Sequence, residues 1–479
     1  MAIKSDIKFP EPTEAAWRLA VDRALKGAPF DEVMKSQTAD GLIVDALYEG
    51  VQDVSPINRP HGASPWTVVQ KMDHPDPKSA NEQAHEDLMN GATGLALVFS
   101  RSHAARGYGL DVSPETFDIA LEGIDLSAIH LRLEAGIDGF KAHSLFADYV
   151  KRSNIDPSPL NMRFGLDPIG ALAAGGTMPW SLDEVTQHIS KEWQERAEQG
   201  FKGPFVEADG RPYHDAGATQ ADELAIILAK GLFYLRTLEA ASEDAQKACD
   251  AIGFTLSAEC DQFLTIAKFR AMRLLWNRVQ DACGLTPKPA ALHAETSFRM
   301  MSKGDPNSNM LRLSLASFAA SVGGADSLAV LPFTAALGLS DDFARRMARN
   351  TQSILLEESN LYRVIDPAAG SGAFETLSDN LAREAWAKFQ DIEKQGGIVE
   401  ALIRGHIHSW IEAANTMRAA AFQSGDKTLV GASLHPHDGS GDASVLDIKK
   451  RAPTERLKAA LDIKKLSPLS DEELLRGTS

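Results

Sequence analysis

From residue 94 the sequence settles into a repeat. A short strand-like run gives way to a loop and a long helical run, eight times before residue 398. The strand-like runs are GLALVFS (94–100), AIHLRLE (128–134), LNMRFGLDP (160–168), GPFVEADG (203–210), IGFTLSAEC (252–260), PAALHAETS (289–297), DSLAVLPF (326–333) and YRVIDPAAG (362–370). Helical stretches such as DELAIILAKGLFYLRTLEAA and FLTIAKFRAMRLLWNRVQ separate them. Parallel strands need a long crossover connection, which alternation of strand and helix supplies. Eight such units in about 300 residues predict an α/β chain folded as a (β/α)8 TIM barrel. A doubly wound sheet is the alternative. The barrel is preferred because the repeat ends where a helical C-terminal region begins.

The flanks predict extensions to that barrel. Residues 1–60 read as an N-terminal arm and linker, with Trp17, Val21 and Leu25 at fourfold spacing in an amphipathic helix. Residues 61–398 are the barrel, 399–435 a C-terminal helical extension carrying the helix IVEALIRGHIHSWIEAANTMRAAAF, and 436–479 a polar tail too short for another domain. The net charge of −17 argues against nucleic acid as a partner, since phosphate binding rests on basic surface. No run approaches ~18 consecutive apolar residues, so no membrane span is predicted. Three cysteines without CxxC spacing and an N-terminus without a signal-like core predict a reducing, cytoplasmic location. His406 with His408, and His435 with His437, fit solvated or capping roles, and no metal site is predicted.

The stretch RVIDPAAGSGAFETL, Arg363 to Leu377, admits two chemistries. It looks like the strand, glycine turn and helix of S-adenosylmethionine-dependent amino-methyltransferases. Those enzymes also carry an Asn/Asp-Pro-Pro-aromatic motif, and this sequence has no Pro-Pro pair. The second reading comes from what precedes the stretch. His293 to Ser297, Asp305 to Asn309, Gly323 to Leu328 and Arg349 to Gln352 follow one another as linked motifs. AGATQADELAIILAKGLFYLR, IAKFRAMRLLW and Pro65-Trp66-Thr67 add to them. Over roughly residues 14 to 435 the chain resembles the cobalamin-dependent methylmalonyl-CoA mutase family. That resemblance implies a barrel with a CoA ester along its axis, facing adenosylcobalamin held by a further domain.

The catalytic pattern of the family is not kept. The Asp-x-His-x-x-Gly signature that supplies the cobalt ligand occurs nowhere in the sequence, so a cobalamin-binding domain is expected to be absent. Val69 and Lys71 stand at the positions of the family's arginine and tyrosine after Pro-Trp-Thr, Ser64 at an arginine before it, and Ala291 at an arginine before the histidine of strand six. The strand-three region NMRFGLDPIGALAAGG no longer matches the segment that carries the family's carboxylate-binding arginine. Gly372, Ala373 and Phe374 replace its paired tyrosines. A gapless alignment puts Pro212 at the family's catalytic histidine, and a two-residue slip would put His214 there instead. His214 is therefore the single catalytic candidate, and no cofactor-binding residue is expected. The family includes non-catalytic chains of this kind, the small (beta) subunits of bacterial heterodimers. The resemblance thus implies a partner, the catalytic large (alpha) subunit, which would hold both adenosylcobalamin and the acyl-CoA. A catalytic barrel using cobalamin from a separate protein is the alternative.

Overall fold

The computed structural model describes residues 13–242, 244–437, 443–452 and 458–477. Its centre is a parallel barrel of eight strands: β1 (Thr67–Met72), β2 (Gly94–Val98), β3 (His130–Glu134), β4 (Asn161–Arg163), β5 (Val206–Asp209), β6 (Ile252–Ala258), β7 (Leu292–Thr296) and β8 (Ser327–Ala329). Each pairs in parallel with the next, β8 pairs with β1, and a bridge between Leu166 and Val206 joins β4 to β5. A helix follows each strand, as the fold requires. Several of these helices are started by one sequence device. An Asp or Ser accepts a backbone N–H while proline takes the first turn, at Asp76-Pro77, Ser113-Pro114, Asp167-Pro168 and Asp305-Pro306. Among the described residues no helix is long and apolar enough to cross a membrane.

The barrel is the expected one, but its strands are shifted by one place. Seven of the predicted strands are β2 to β8. The first strand is Thr67–Met72, and the predicted strand at 362–370 is not a strand. Thr67–Met72 escapes pattern reading because polar residues occupy both of its faces: Lys71 points inward and Gln70 outward, to Asp87 and the Arg345 carbonyl. The 362–370 segment instead holds a 3-10 turn, Leu361–Arg363, with Val364 exposed. Arg59 lies against Gly324, on the turn into β8, and donates to the carbonyls of Tyr362 and Val364. The segment is therefore near the amino-terminal ends of the strands, not at the barrel mouth.

Its glycine turn serves the N-terminal arm. Val51 N donates to Gly370 O at 3.0 Å, and a Cβ on Gly372 would sit 1.9 Å from the Glu49 carbonyl oxygen. Asp366 takes two donors of Arg270 and the backbone N–H of Ile57. The glycines are small because the arm's backbone lies on them, which removes the methyltransferase reading. The helix that follows, Gly372–Lys394, lies across the helices Gln262–Ala282 and Gln220–Glu239.

The single helix expected from residue 398 is two, Ile398–Ile403 and His406–Ser424, broken at Gly405 in the left-handed region. The predicted arm helix is present as Glu14–Leu25, with no buried residue. The described parts of the segment after residue 436 pack over the carboxyl-terminal ends of the strands. Leu446 N bonds Leu339 O beyond β8, and Arg451 N bonds Gly107 O beyond β2. Leu461–Asp462 pairs with Thr177–Met178 beyond β4. Leu469 N bonds Asp215 O beyond β5, and Asp471 N bonds Arg299 O beyond β7. His408 Nε2 meets the Lys464 carbonyl at 2.6 Å and helps hold this tail down.

Candidate functional site

Alternate residues of a barrel strand face inward, and in most barrels bulky aliphatic side chains fill that space. Here the two halves differ. β1, β2 and β8 contribute Val69, Ala96, Val98 and Ala329 to a small apolar cluster with Ala104 and Ala105. The opposite strands send in charge: Arg132 and Glu134 from β3, Arg163 from β4, Glu207 and Asp209 from β5, Glu295 from β7. Their outward neighbours, including Leu131, Leu133, Phe254, Leu256 and Leu292, are buried against the helices.

These charges form one connected lattice. Glu295 lies 2.8 Å from Arg211, 2.9 Å from Arg106 and 3.3 Å from Lys71. Arg211 also donates to both oxygens of Glu134 at 3.2 Å and to Asp209 at 2.7 Å. Below them, Arg132 crosses the barrel to donate to Thr255 Oγ1 on β6 at 3.2 Å. Thr255 in turn donates to Glu207 at 2.6 Å. Arg163 crosses from β4 to the Ala291 carbonyl before β7, at 2.9 Å. A Cβ on Gly253 would fall 2.3 Å from the Arg163 guanidinium and 2.6 Å from the Glu207 carboxylate, so these two side chains occupy the space that glycine leaves. The axis is spanned by side chains rooted on opposite walls.

The electrostatics follow from burial and packing. Burial alone would raise the Glu295 carboxyl, but Lys71, Arg211 and Arg106 outweigh it and hold the group well below the usual range. His293, hydrogen-bonded to Ser327 Oγ at 2.8 Å, is pushed well below 6.5 by burial and by the nearby arginines. His130, against Asn161 at 2.9 Å, is lowered to about 3 by burial, with Arg132 and Arg163 adding to it. Both imidazoles are neutral at physiological pH, in a lattice whose charges compensate one another.

The positions at which the resemblance expects catalytic groups lie in this lattice or beside it. Val69 and Lys71 both point into the barrel, Val69 in the apolar cluster and Lys71 on Glu295. Pro212 faces the cavity at the mouth. His214 does not. It is fully buried behind the strands, with Nδ1 3.1 Å from Glu223 and Nε2 2.9 Å from Ser297 Oγ. Lys268 completes the cluster at 2.7 Å from Glu223, whose carboxyl is drawn down to about 2 by Lys268 and His214 against the effect of burial. His214 can orient its neighbours, but it does not line the cavity.

Sequence reading missed Arg132, Arg163, Arg211 and Glu295 as the groups that define the interior. The signal was present. HLRLE, NMR, VEAD and LHAET alternate charged with apolar residues inside strands that a barrel buries on both faces.

Comparison with known proteins agrees with this fold. The methylmalonyl-CoA mutase family model matches residues 55–468. The methylmalonyl-CoA mutase small subunit of Streptomyces virginiae is 36% identical over 450 residues, covering 90% of this chain and 71% of that protein. The methylmalonyl-CoA mutase small subunit of Propionibacterium freudenreichii subsp. shermanii is 34% identical over 459 residues, covering 90% and 70%.

Proposed function

The chain belongs to the methylmalonyl-CoA mutase family, and we propose that it is the structural small subunit of a heterodimeric mutase whose chemistry is carried by a large, catalytic alpha subunit. The heterodimer would interconvert methylmalonyl-CoA and succinyl-CoA in the cytoplasm, with the CoA ester and adenosylcobalamin both held by the partner. The observation that carries this reading is the filled axis. A CoA ester along a barrel needs a channel, and here Arg132 and Arg163 cross that space to β6 and to Ala291 before β7. Opening it would strand buried charges, at about 3–5 kcal/mol for each pair broken.

The residues described do not fit adenosylcobalamin either. A corrin face needs an open barrel mouth, whereas backbone hydrogen bonds tie the tail to the turns beyond β2, β4, β5, β7 and β8. This counts against a barrel served by cobalamin from a separate protein. In this reading His214, enclosed by Glu223, Ser297 and Lys268, supports the fold. Residues 1–60 act as a docking arm. No residue of its helix Glu14–Leu25 is fully buried within the chain, Trp17 packing only edge-on against Phe30, and Leu19, Val33, Ile43 and Leu47 are exposed. Residues 61–398 form the scaffold, 399–435 its helical extension, and the segment from 436 its cover.

Coexpression with a large mutase subunit tests the proposal. A stable one-to-one complex is expected, and it should be lost when the arm is removed. A chain that stays monomeric beside the large subunit would overturn it.

A further inference from the structure

Where the tail crosses the mouth it does not pack flush, and a cavity of about 940 Å³ remains beneath it. Its walls are the turns after β2, β3, β4 and β5, with Arg451, Ala452 and residues 463–468 of the tail above. We propose that this cavity binds an organic anion, a carboxylate or phosphate carrying an apolar portion, and that the bound ligand ties the tail to the barrel. A chain without catalytic chemistry would then still sense a small molecule.

Four observations carry this. The first is charge. Seven arginines and lysines line the cavity; six are paired with carboxylates, and among the described residues Lys465 at the rim is the one left uncompensated. An unpaired cation beside a concave site favours an anion there. The second is an unmet donor. Arg132 is 1% exposed and lines the cavity, and its Nη1 makes no hydrogen bond, its contact with Glu207 Oε1 being a looser ion pair at 3.8 Å. Its Nε and Nη2 are already committed to Glu134 and Thr255. A buried donor left unmet costs about 1–3 kcal/mol, and an acceptor that reached Nη1 would recover part of it. Lys465, at the rim, has no acidic partner among the described residues.

The third observation is the opposite wall, where Ile137, Ala171, Ile463 and Leu466 offer apolar surface. Apolar walls with a few placed polar groups, at this size, are what ligand pockets have. The fourth is construction. The cavity floor is Gly165 to Thr177, the stretch at which the sequence departs from the mutase pattern. Gly165 holds φ +63°, and a Cβ there would lie 2.2 Å from the Leu133 carbonyl oxygen. Gly176 holds φ +80° with the Ile463 carbonyl 3.2 Å from its Cβ position, so its lack of a side chain lets the tail approach.

The test uses the full chain, with hexanoate and hexyl phosphate as probes and hexylamine as the control, followed by calorimetry and thermal unfolding. At least one anion should bind one-to-one and raise the unfolding temperature. The comparison of the two tells carboxylate from phosphate. Amide exchange in residues 461–469 should slow in its presence. Ala171→Trp fills the cavity without touching an ion pair and should abolish binding. Lys465→Glu, at the exposed rim, and Arg132→Gln should each weaken it about tenfold, the usual effect of losing one charge-assisted hydrogen bond. Equal binding of hexylamine, no binding of either anion, or undiminished binding by the folded Ala171→Trp protein would each overturn the proposal.

Discussion

Replacing Glu295 by glutamine tests the barrel lattice at its most connected point. The carboxylate is shared by Arg211 at 2.8 Å, Arg106 at 2.9 Å and Lys71 at 3.3 Å. After substitution Arg211 keeps Asp209 and Glu134, and Arg106 keeps Asp215 at 3.9 Å and the face of Phe298. Lys71 keeps only the Ala104 carbonyl. One buried ammonium is thus stranded, a change that costs about 3–5 kcal/mol. Unfolding entropy near ~2.1 cal/mol/K per residue gives about 1 kcal/mol/K for a chain of this length, so the unfolding temperature should fall by about 3–5 °C.

Scanning calorimetry of the purified chain reads this directly. Adding Lys71→Met to Glu295→Gln should restore most of the loss, because no unpaired charge then remains. The Glu295 carboxyl is depressed, so its contribution is present above the ordinary glutamate pKa of ~4.3 and is lost as pH falls through the lowered value. The difference between wild type and variant should therefore be constant from about pH 8 to about pH 5 and shrink only in stronger acid. A shift below about 1 °C, or a double variant as unstable as the single one, would refute the reasoning.

Other outcomes follow from the same structure. Asp366→Ala removes one of the two carboxylates on Arg270, which keeps Glu375, and the acceptor of the Ile57 N–H; it should destabilise by about 1–3 kcal/mol and speed limited proteolysis between residues 40 and 60. His214→Ala should lower the unfolding temperature while leaving kcat and KM of a reconstituted complex unchanged, since the ring meets Glu223 and Ser297 and not the cavity; a loss of kcat at full folding would return His214 to catalysis. His130 is held near about 3, so it adds stability above the unfolded histidine value of ~6.5 and loses it as pH falls. The chain should lose about 1.4 kcal/mol per pH unit from this group across that window, and His130→Gln should remove that slope from the pH dependence of the unfolding temperature.

The barrel was legible because strand and helix periodicities differ and repeat eight times. What sequence left open turns on polar residues in buried places. Thr67–Met72 was hidden by Gln70 and Lys71, each satisfied by a partner more than two hundred residues away, Gln70 by Arg345 and Lys71 by Glu295. The segment 362–370 looked like a strand through Val364 and Ile365, yet Val364 is exposed and the glycines that follow serve the arm. The departures at Val69 and Lys71 were readable one residue at a time. Their consequence was not, because it needs Arg132 and Arg163 to reach across the barrel, a distance no local pattern encodes. The tail read only as polar and too short for another domain, since the backbone hydrogen bonds that hold it leave little trace in composition.

The most direct test of the proposed division of labour is the turnover of methylmalonyl-CoA with added adenosylcobalamin, measured for the purified chain alone and after mixing with a large mutase subunit. No turnover by the chain alone and full turnover by the one-to-one complex are expected. Conversion to succinyl-CoA by the isolated chain would contradict a barrel whose axis is closed by its own ion pairs.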